Sequence, residues 1–108
     1  MKMIMAVIRP ERLQQVKDAL KEIGINAMTI TDVRGRGQQS GIKFSNRVGT
    51  FVVDEIEKTK IEIVVNDELA QIAIDAIRGS ACTGHMGDGR IFVMPVEMSV
   101  RIRDGSSD

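Results

Sequence analysis

Residues 3–8, Met-Ile-Met-Ala-Val-Ile, form an unbroken apolar run of strand length. Arg9 and Pro10 end it, and Pro10 suits a first helical turn, where a missing N–H has no partner to lose. Leu13, Val16, Leu20 and Ile23 then recur at helical spacing, with Glu11, Gln14, Lys17, Asp18 and Lys21 on the other faces. Gly24 predicts a left-handed stop. The segment from Ile25 to Val33 is rich in β-branched residues and reads as a second strand. From Arg34 the pattern weakens and stays weak to about Asp54. Such a stretch reads either as a long functional loop or as a β-hairpin extended past the sheet. Alternation returns from Thr59 to Val65, with Ile61, Ile63 and Val65 on one face of a third strand. Asn66 or Asp67 is placed to cap the next helix, whose expected buried stripe is Leu69, Ile72, Ala73, Ala76 and Ile77. Four glycines fall between Gly79 and Gly89, and Ile91 to Met94 reads as a fourth strand that Pro95 confines to an edge or an early end. Val96 to Arg103 has the character of one more short extended piece, and 104–108 that of a frayed tail.

The order β-α-β-long segment-β-α-β specifies an α+β, ferredoxin-like split βαβ sandwich in one domain, 1–108, with both helices on one face of an antiparallel sheet. Strands such as Met3–Ile8 are apolar on both sides, so the face without helices calls for a partner, and homo-oligomerisation is the expectation.

Composition narrows the function classes. Fifteen Lys plus Arg balance fifteen Asp plus Glu, a net charge of zero that argues against coating nucleic acid or an anionic membrane. Three Phe and no Tyr or Trp leave no stacking platform for single-stranded nucleic acid. Cys82 is the sole cysteine, so no internal disulfide forms, and a reducing, cytoplasmic setting is expected. No apolar run reaches the ~20 residues that span a bilayer.

Three segments can carry chemistry. In Thr83-Gly84-His85-Met86-Gly87-Asp88-Gly89-Arg90 the glycines allow backbone N–H groups to converge on an anion, with Arg90 as a fixed charge; a plain tight turn is the alternative. Gly35-Arg36-Gly37-Gln38-Gln39 permits close backbone approach and supplies two amides. Arg101-Ile102-Arg103, read on a strand, presents two guanidinium groups on one side, either as an anion fork or as a solvated edge. His85 is the only histidine and no nucleophile has a base near it in sequence, so nothing assembles a catalytic constellation; Cys82 reads as inert packing and Lys58, on its own, as a surface charge.

The opening strand with Ile8-Arg9-Pro10-Glu11-Arg12-Leu13, then Ala27-Met28-Thr29-Ile30-Thr31, Val52-Val53-Asp54, Lys58-Thr59-Lys60-Ile61-Glu62, Thr83 to Val93 and Val100-Arg101-Ile102-Arg103 resemble, over nearly the whole chain, the PII signal-transduction proteins that regulate nitrogen metabolism. The resemblance implies a homotrimer with three intersubunit clefts where ATP and ADP compete. It places adenine contacts on Thr29, Glu62 and Val64, the phosphate cradle on Gly87, Asp88, Gly89 and Arg90 with Arg101 and Arg103 as a neighbour's contribution, and further nucleotide contacts on Gly37, Gln38 and Gln39. Mg²⁺ with ATP would complete a 2-oxoglutarate pocket through Gln39, also the residue expected at the metal, and Lys58. Residues of about 36–54 would then be the T-loop that docks on targets, about 82–90 the B-loop and about 98–108 the C-terminal segment. An ammonium transporter at the inner membrane surface is the expected partner, with Arg47 at the loop tip as the contacting side chain.

Several residues depart from the family pattern. Phe51 stands where many relatives carry a uridylylated tyrosine, and Gly49 where some carry a phosphorylated serine. Gln38 replaces a common arginine, and Arg90 a common lysine. A non-enzymatic sensor is the reading that results; a nucleotide-hydrolysing or phosphotransfer enzyme working through His85, or a trimeric scaffold without small ligands, are the alternatives from other classes.

Overall fold

A computed structural model describes residues 1–36, 42–46, 49–53 and 55–107, with backbone alone for 42–46 and 49–53. Strand β1 (Lys2–Ile8) leads through a 3₁₀ turn (Pro10–Arg12) into helix α1 (Leu13–Glu22). Strand β2 (Thr29–Gly35), a short pair β3 (Ile42–Asn46) and β4 (Gly49–Val53), the long strand β5 (Ile56–Val65), helix α2 (Asp67–Ala81) and strand β6 (Gly89–Pro95) follow. The main sheet runs β2-β5-β1-β6 with every neighbour antiparallel, the strand order of a βαββαβ ferredoxin-like sandwich. The expected fold class is confirmed.

Burial follows the strand alternation. Ile4, Ala6 and Ile8 of β1 and Ile61, Ile63 and Val65 of β5 turn to one face and meet Val16 and Leu20 of α1 and Ala73, Ile77 and Ala81 of α2, forming the core. Helix α1 ends as Gly24 predicts: Gly24 has φ +84°, its N–H donates to the Lys21 carbonyl at 3.0 Å, and the Ile25 N–H donates to the Leu20 carbonyl at 2.9 Å.

Several expectations are corrected. Strand β2 begins at Thr29 rather than Ile25, because that helix-ending pair of hydrogen bonds holds Ile25, which is buried beneath α1. Of the two readings of the weakly patterned stretch the β-paired one is seen, as the β3–β4 ladder with Ile42 opposite Val53 and Asn46 opposite Gly49, whereas β5 starts at Ile56, three residues before the alternation becomes clean. Asn66 precedes α2 in extended conformation without a side-chain cap, and the Asp67 carboxylate accepts from the Met1 amine at 2.7 Å instead. Ile72 lies 49% exposed, outside the buried stripe, and Cys82 is exposed rather than packed. Val96–Arg103 forms no strand: Arg101 and Arg103 sit on a turn closed by Arg101 N–H to Ser106 O at 2.7 Å and Gly105 N–H to Arg101 O at 2.8 Å. Their side chains therefore lack the strand's same-side geometry. The tail through Ser107 is held by a bridge between Val100 and Ser107, and Ser106 donates twice to Asp104 Oδ1, so it is not frayed. No helix among the described residues is long and apolar enough to cross a membrane.

Candidate functional site

Residues paired across antiparallel strands share a face, so the registers show what covers the side of the sheet away from the helices. One row reads Thr29, Glu62, Met5, Phe92; the next reads Thr31, Lys60, Val7, Arg90; Val64, Met3 and Met94 form a third. Thr29, Glu62, Val64 and Arg90, proposed from sequence as ligand contacts, thus stand on one open face. Val64 and Phe92 are 47% and 44% exposed there. Lys60 and Glu62 pair at 3.6 Å, whereas Arg90 has no ion pair among the described residues.

Because β1 and β6 are antiparallel neighbours, Ile8 lies opposite Gly89, and the end of β1 meets the glycine-rich 82–88 loop. Asp88 organises that loop. Its Oδ2 accepts from the backbone N–H of Thr83 at 2.8 Å and of Gly84 at 2.9 Å, and its Oδ1 accepts from the Thr83 hydroxyl and from Arg9 Nε at 2.9 Å. The Thr83 hydroxyl first, then Arg9, holds the Asp88 carboxyl well below the usual carboxylate range. This side chain is consumed inside the loop, so only its backbone remains for a ligand.

Arg9 Nη2 also donates to the Met86 carbonyl at 2.7 Å, and Lys58 Nζ donates to the Gly87 carbonyl. Partial burial lowers the Lys58 pKa below that of a free lysine, helped by the Arg9 charge and opposed by Glu11 and Asp88. Lys58 occupies one wall of an open cleft of about 980 Å³ that also includes Pro10, Val33, Arg34, Gly35 and Thr59. Arg34 and Glu55, which also line it, pair at 3.2 Å.

Gly87 and Gly89 both have positive φ, +96° and +104°. At Gly89 the reason is steric: a Cβ there would stand 1.7 Å from the Val7 carbonyl oxygen, so the strand pair closes only over glycine. At Gly87 a Cβ would lie 3.3 Å from Arg9 Nη2.

The structure therefore brings Lys58 to the 82–88 loop and Thr29, Glu62, Val64 and Arg90 to one face. Arg101 and Arg103 lie apart on the C-terminal turn, Arg103 being 3.9 Å from Asp104, with Ile102 fully exposed between them. Gly37, Gln38, Gln39 and Arg47 lie outside the described residues. Sequence reasoning missed Arg9, Arg12 and the Thr83 hydroxyl as loop partners. The available signal was positional: a basic residue at the end of β1 faces the start of β6 once those strands are neighbours. Among the described residues no cluster of three or more His, Cys, Asp or Glu side chains gathers to hold a metal ion.

Comparison with known proteins adds to this geometry. The family described as nitrogen regulatory protein P-II matches residues 1–106 of the chain. The chain is 52% identical over 107 residues to nitrogen regulatory protein P-II 2 of Methanothermobacter thermautotrophicus, covering 99% of this chain and 93% of the relative. It is 48% identical over 107 residues to the P-II protein of Bradyrhizobium diazoefficiens, covering 99% and 96%. It is 50% identical over 105 residues to that of Azospirillum brasilense, covering 97% and 94%.

Proposed function

The chain belongs to the P-II family of nitrogen regulatory proteins, and from that premise we propose that it is a non-enzymatic sensor of adenylate and 2-oxoglutarate levels. In this reading ATP or ADP lies along the open sheet face in a cleft between subunits of a homotrimer. The base meets Thr29, Glu62 and Val64; the phosphates meet Gly37, Gln38, Gln39, the backbone of Gly87, Asp88 and Gly89, and Arg90, with Arg101 and Arg103 arriving from a neighbour. Mg²⁺ held by ATP and Gln39 completes a site for 2-oxoglutarate, whose charge Lys58 balances. The observation that carries the reading is the single face that joins Thr29, Glu62 and Val64 to Arg90, with Lys58 on the loop at its end. From the Val64 row to the Lys58 row is about 20 Å at ~3.3 Å per residue, a suitable length for a nucleoside triphosphate.

Electrostatics favour this assignment. Arg90, without a carboxylate partner among the described residues, offers an undivided charge to an anion. Lys58 gives up one neutral carbonyl, that of Gly87, in exchange for a charged carboxylate. The apolar part of the open face, Met3, Met5, Phe92 and Met94, would be covered by the other two subunits. The ligand state selects the conformation of the segment at 36–54, which docks on a nitrogen-metabolism target, an ammonium transporter at the inner membrane surface being the first to test through Arg47.

Calorimetric titration of 2-oxoglutarate into the protein with Mg-ATP, with ADP and with neither tests the reading. Heat only with Mg-ATP is the expected result. Binding of ATP without any 2-oxoglutarate response would leave an adenylate sensor, and no nucleotide binding would overturn the proposal.

A further inference from the structure

Helix α2 ends at Ala81 without a glycine cap; Cys82 follows in extended conformation, its N–H donating to the Arg78 carbonyl at 3.0 Å. One more turn would have sent the Thr83 and Gly84 N–H groups to the carbonyls of Gly79 and Ser80. Both are diverted: the Asp88 carboxylate accepts them at 2.8 and 2.9 Å. The Ser80 carbonyl, left without its helical donor, is taken by Arg12, whose Nε and Nη2 donate to it at 2.9 and 2.6 Å. The Ser80 hydroxyl does not compete, since it donates back to the Ala76 carbonyl at 2.6 Å. Arg12 also places a positive charge at the negative end of the α2 dipole. Arg9, three residues earlier, holds the far side of the same loop through Met86 and Asp88. The short segment from Arg9 to Arg12 thus fastens the loop at both roots.

We infer that Arg12 is a positioning residue for the glycine-rich loop: by satisfying the Ser80 carbonyl it fixes where the chain leaves α2, and so tunes anion binding at Gly87–Arg90 without touching the ligand. The ligand half of this inference rests on the function proposed above; the loop half does not. Asp88 draws the loop away from the helix, Arg12 stabilises the carbonyl that this leaves behind, and the two act as a matched pair.

The experiment compares wild type, Arg12→Gln, Arg12→Lys and a control, Gln14→Ala, which removes an exposed contact to Asp18 on the same helix. Amide hydrogen exchange is read on the ligand-free chain, and Mg-ATP affinity by calorimetry. Arg12→Gln is expected to speed exchange at Thr83 and Gly84 while leaving β1 and β5 amides as slow as in wild type, and to weaken Mg-ATP about tenfold. Arg12→Lys, with one donor directed at Ser80, is expected to fall between, and Gln14→Ala to match wild type. Unchanged exchange at Thr83 and Gly84 in Arg12→Gln overturns the brace. Faster exchange throughout the sheet would reduce Arg12 to a general stabiliser and equally overturn it. Localised exchange with unaltered ATP affinity overturns the coupling to ligand. A wild-type chain that binds no ATP overturns the function proposed above together with that coupling, while the exchange comparison still decides the brace.

Discussion

Two glycines of the same loop separate backbone strain from steric exclusion. Gly84 has φ +82° with nothing within 4 Å of a Cβ, so Gly84→Ala should cost only about 1 kcal/mol of strain. Gly89→Ala must also push the Val7 carbonyl aside and should cost about 3 kcal/mol or more, visible as a lower midpoint in urea. Equal midpoints for the two variants would contradict this account. Glycine at 89 stands out in the sequence, but its reason did not, because it depends on the pairing of β6 with β1, from the opposite end of the chain. Asp88 gives a pH prediction. Its folded pKa is depressed, so the stabilisation it supplies is present above the ordinary Asp value, about 3.9, and disappears as pH falls toward the depressed one. The stability advantage of wild type over Asp88→Asn should therefore be constant at neutral pH and shrink below about pH 4. An advantage that shrinks between pH 8 and 6, roughly the histidine range, would point to another group.

At the level of elements, β1, both helices and β6 were legible because each carries an apolar period or run that only one element type can bury. The start of β2 was not: Ile25 is as β-branched as Ile30, and only the hydrogen bonds that end α1 distinguish them. The C-terminal turn escaped for a related reason, since the Asp104–Ser106 contacts that close it have no periodic trace. The stem of β2 and β5 beyond β1 is the element that links the cleft to the 37–54 segment. Its Arg34–Glu55 pair is exposed at both ends, 72% and 60%, so Glu55→Gln should change stability by less than about 0.5 kcal/mol and lose even that in high salt. Lys58, on the same stem, behaves differently. Its pKa is already lowered, and an anion beside the ammonium would raise it again, so ligand binding in alkaline buffer should take up protons. Titrations in two buffers of different ionisation heat read this directly, and Lys58→Met should abolish it; proton release in wild type would contradict the placement of the anion.

The whole molecule has one covered sheet face and one open one. Met3, Met5, Phe92 and Met94 lie on the open side, beside the charged row of Lys60 and Arg90. If this face carries the proposed trimer, Phe92→Glu should shift sedimentation toward the monomer at concentrations where the wild-type chain is assembled, with the helical signal unchanged. A trimer of unaltered stability would mean that assembly uses another surface. The need for a partner was readable from the two-sided apolar character of Met3–Ile8, whereas the face it would use emerged only with the strand registers.

The strand order β2-β5-β1-β6 has a kinetic consequence. No ladder of the main sheet joins neighbouring strands of a tight turn; even the nearest partners, Gly35 and Ile56, lie on either side of the 37–54 segment. The chain must therefore close large loops before any of these pairings contributes, which makes its folding slower than that of helical bundles of this size. Closure entropy grows only logarithmically with loop length. Lengthening or shortening the 37–54 segment should thus leave the folding rate and the sheet almost untouched, making it a region whose length can vary without rebuilding the scaffold that holds it.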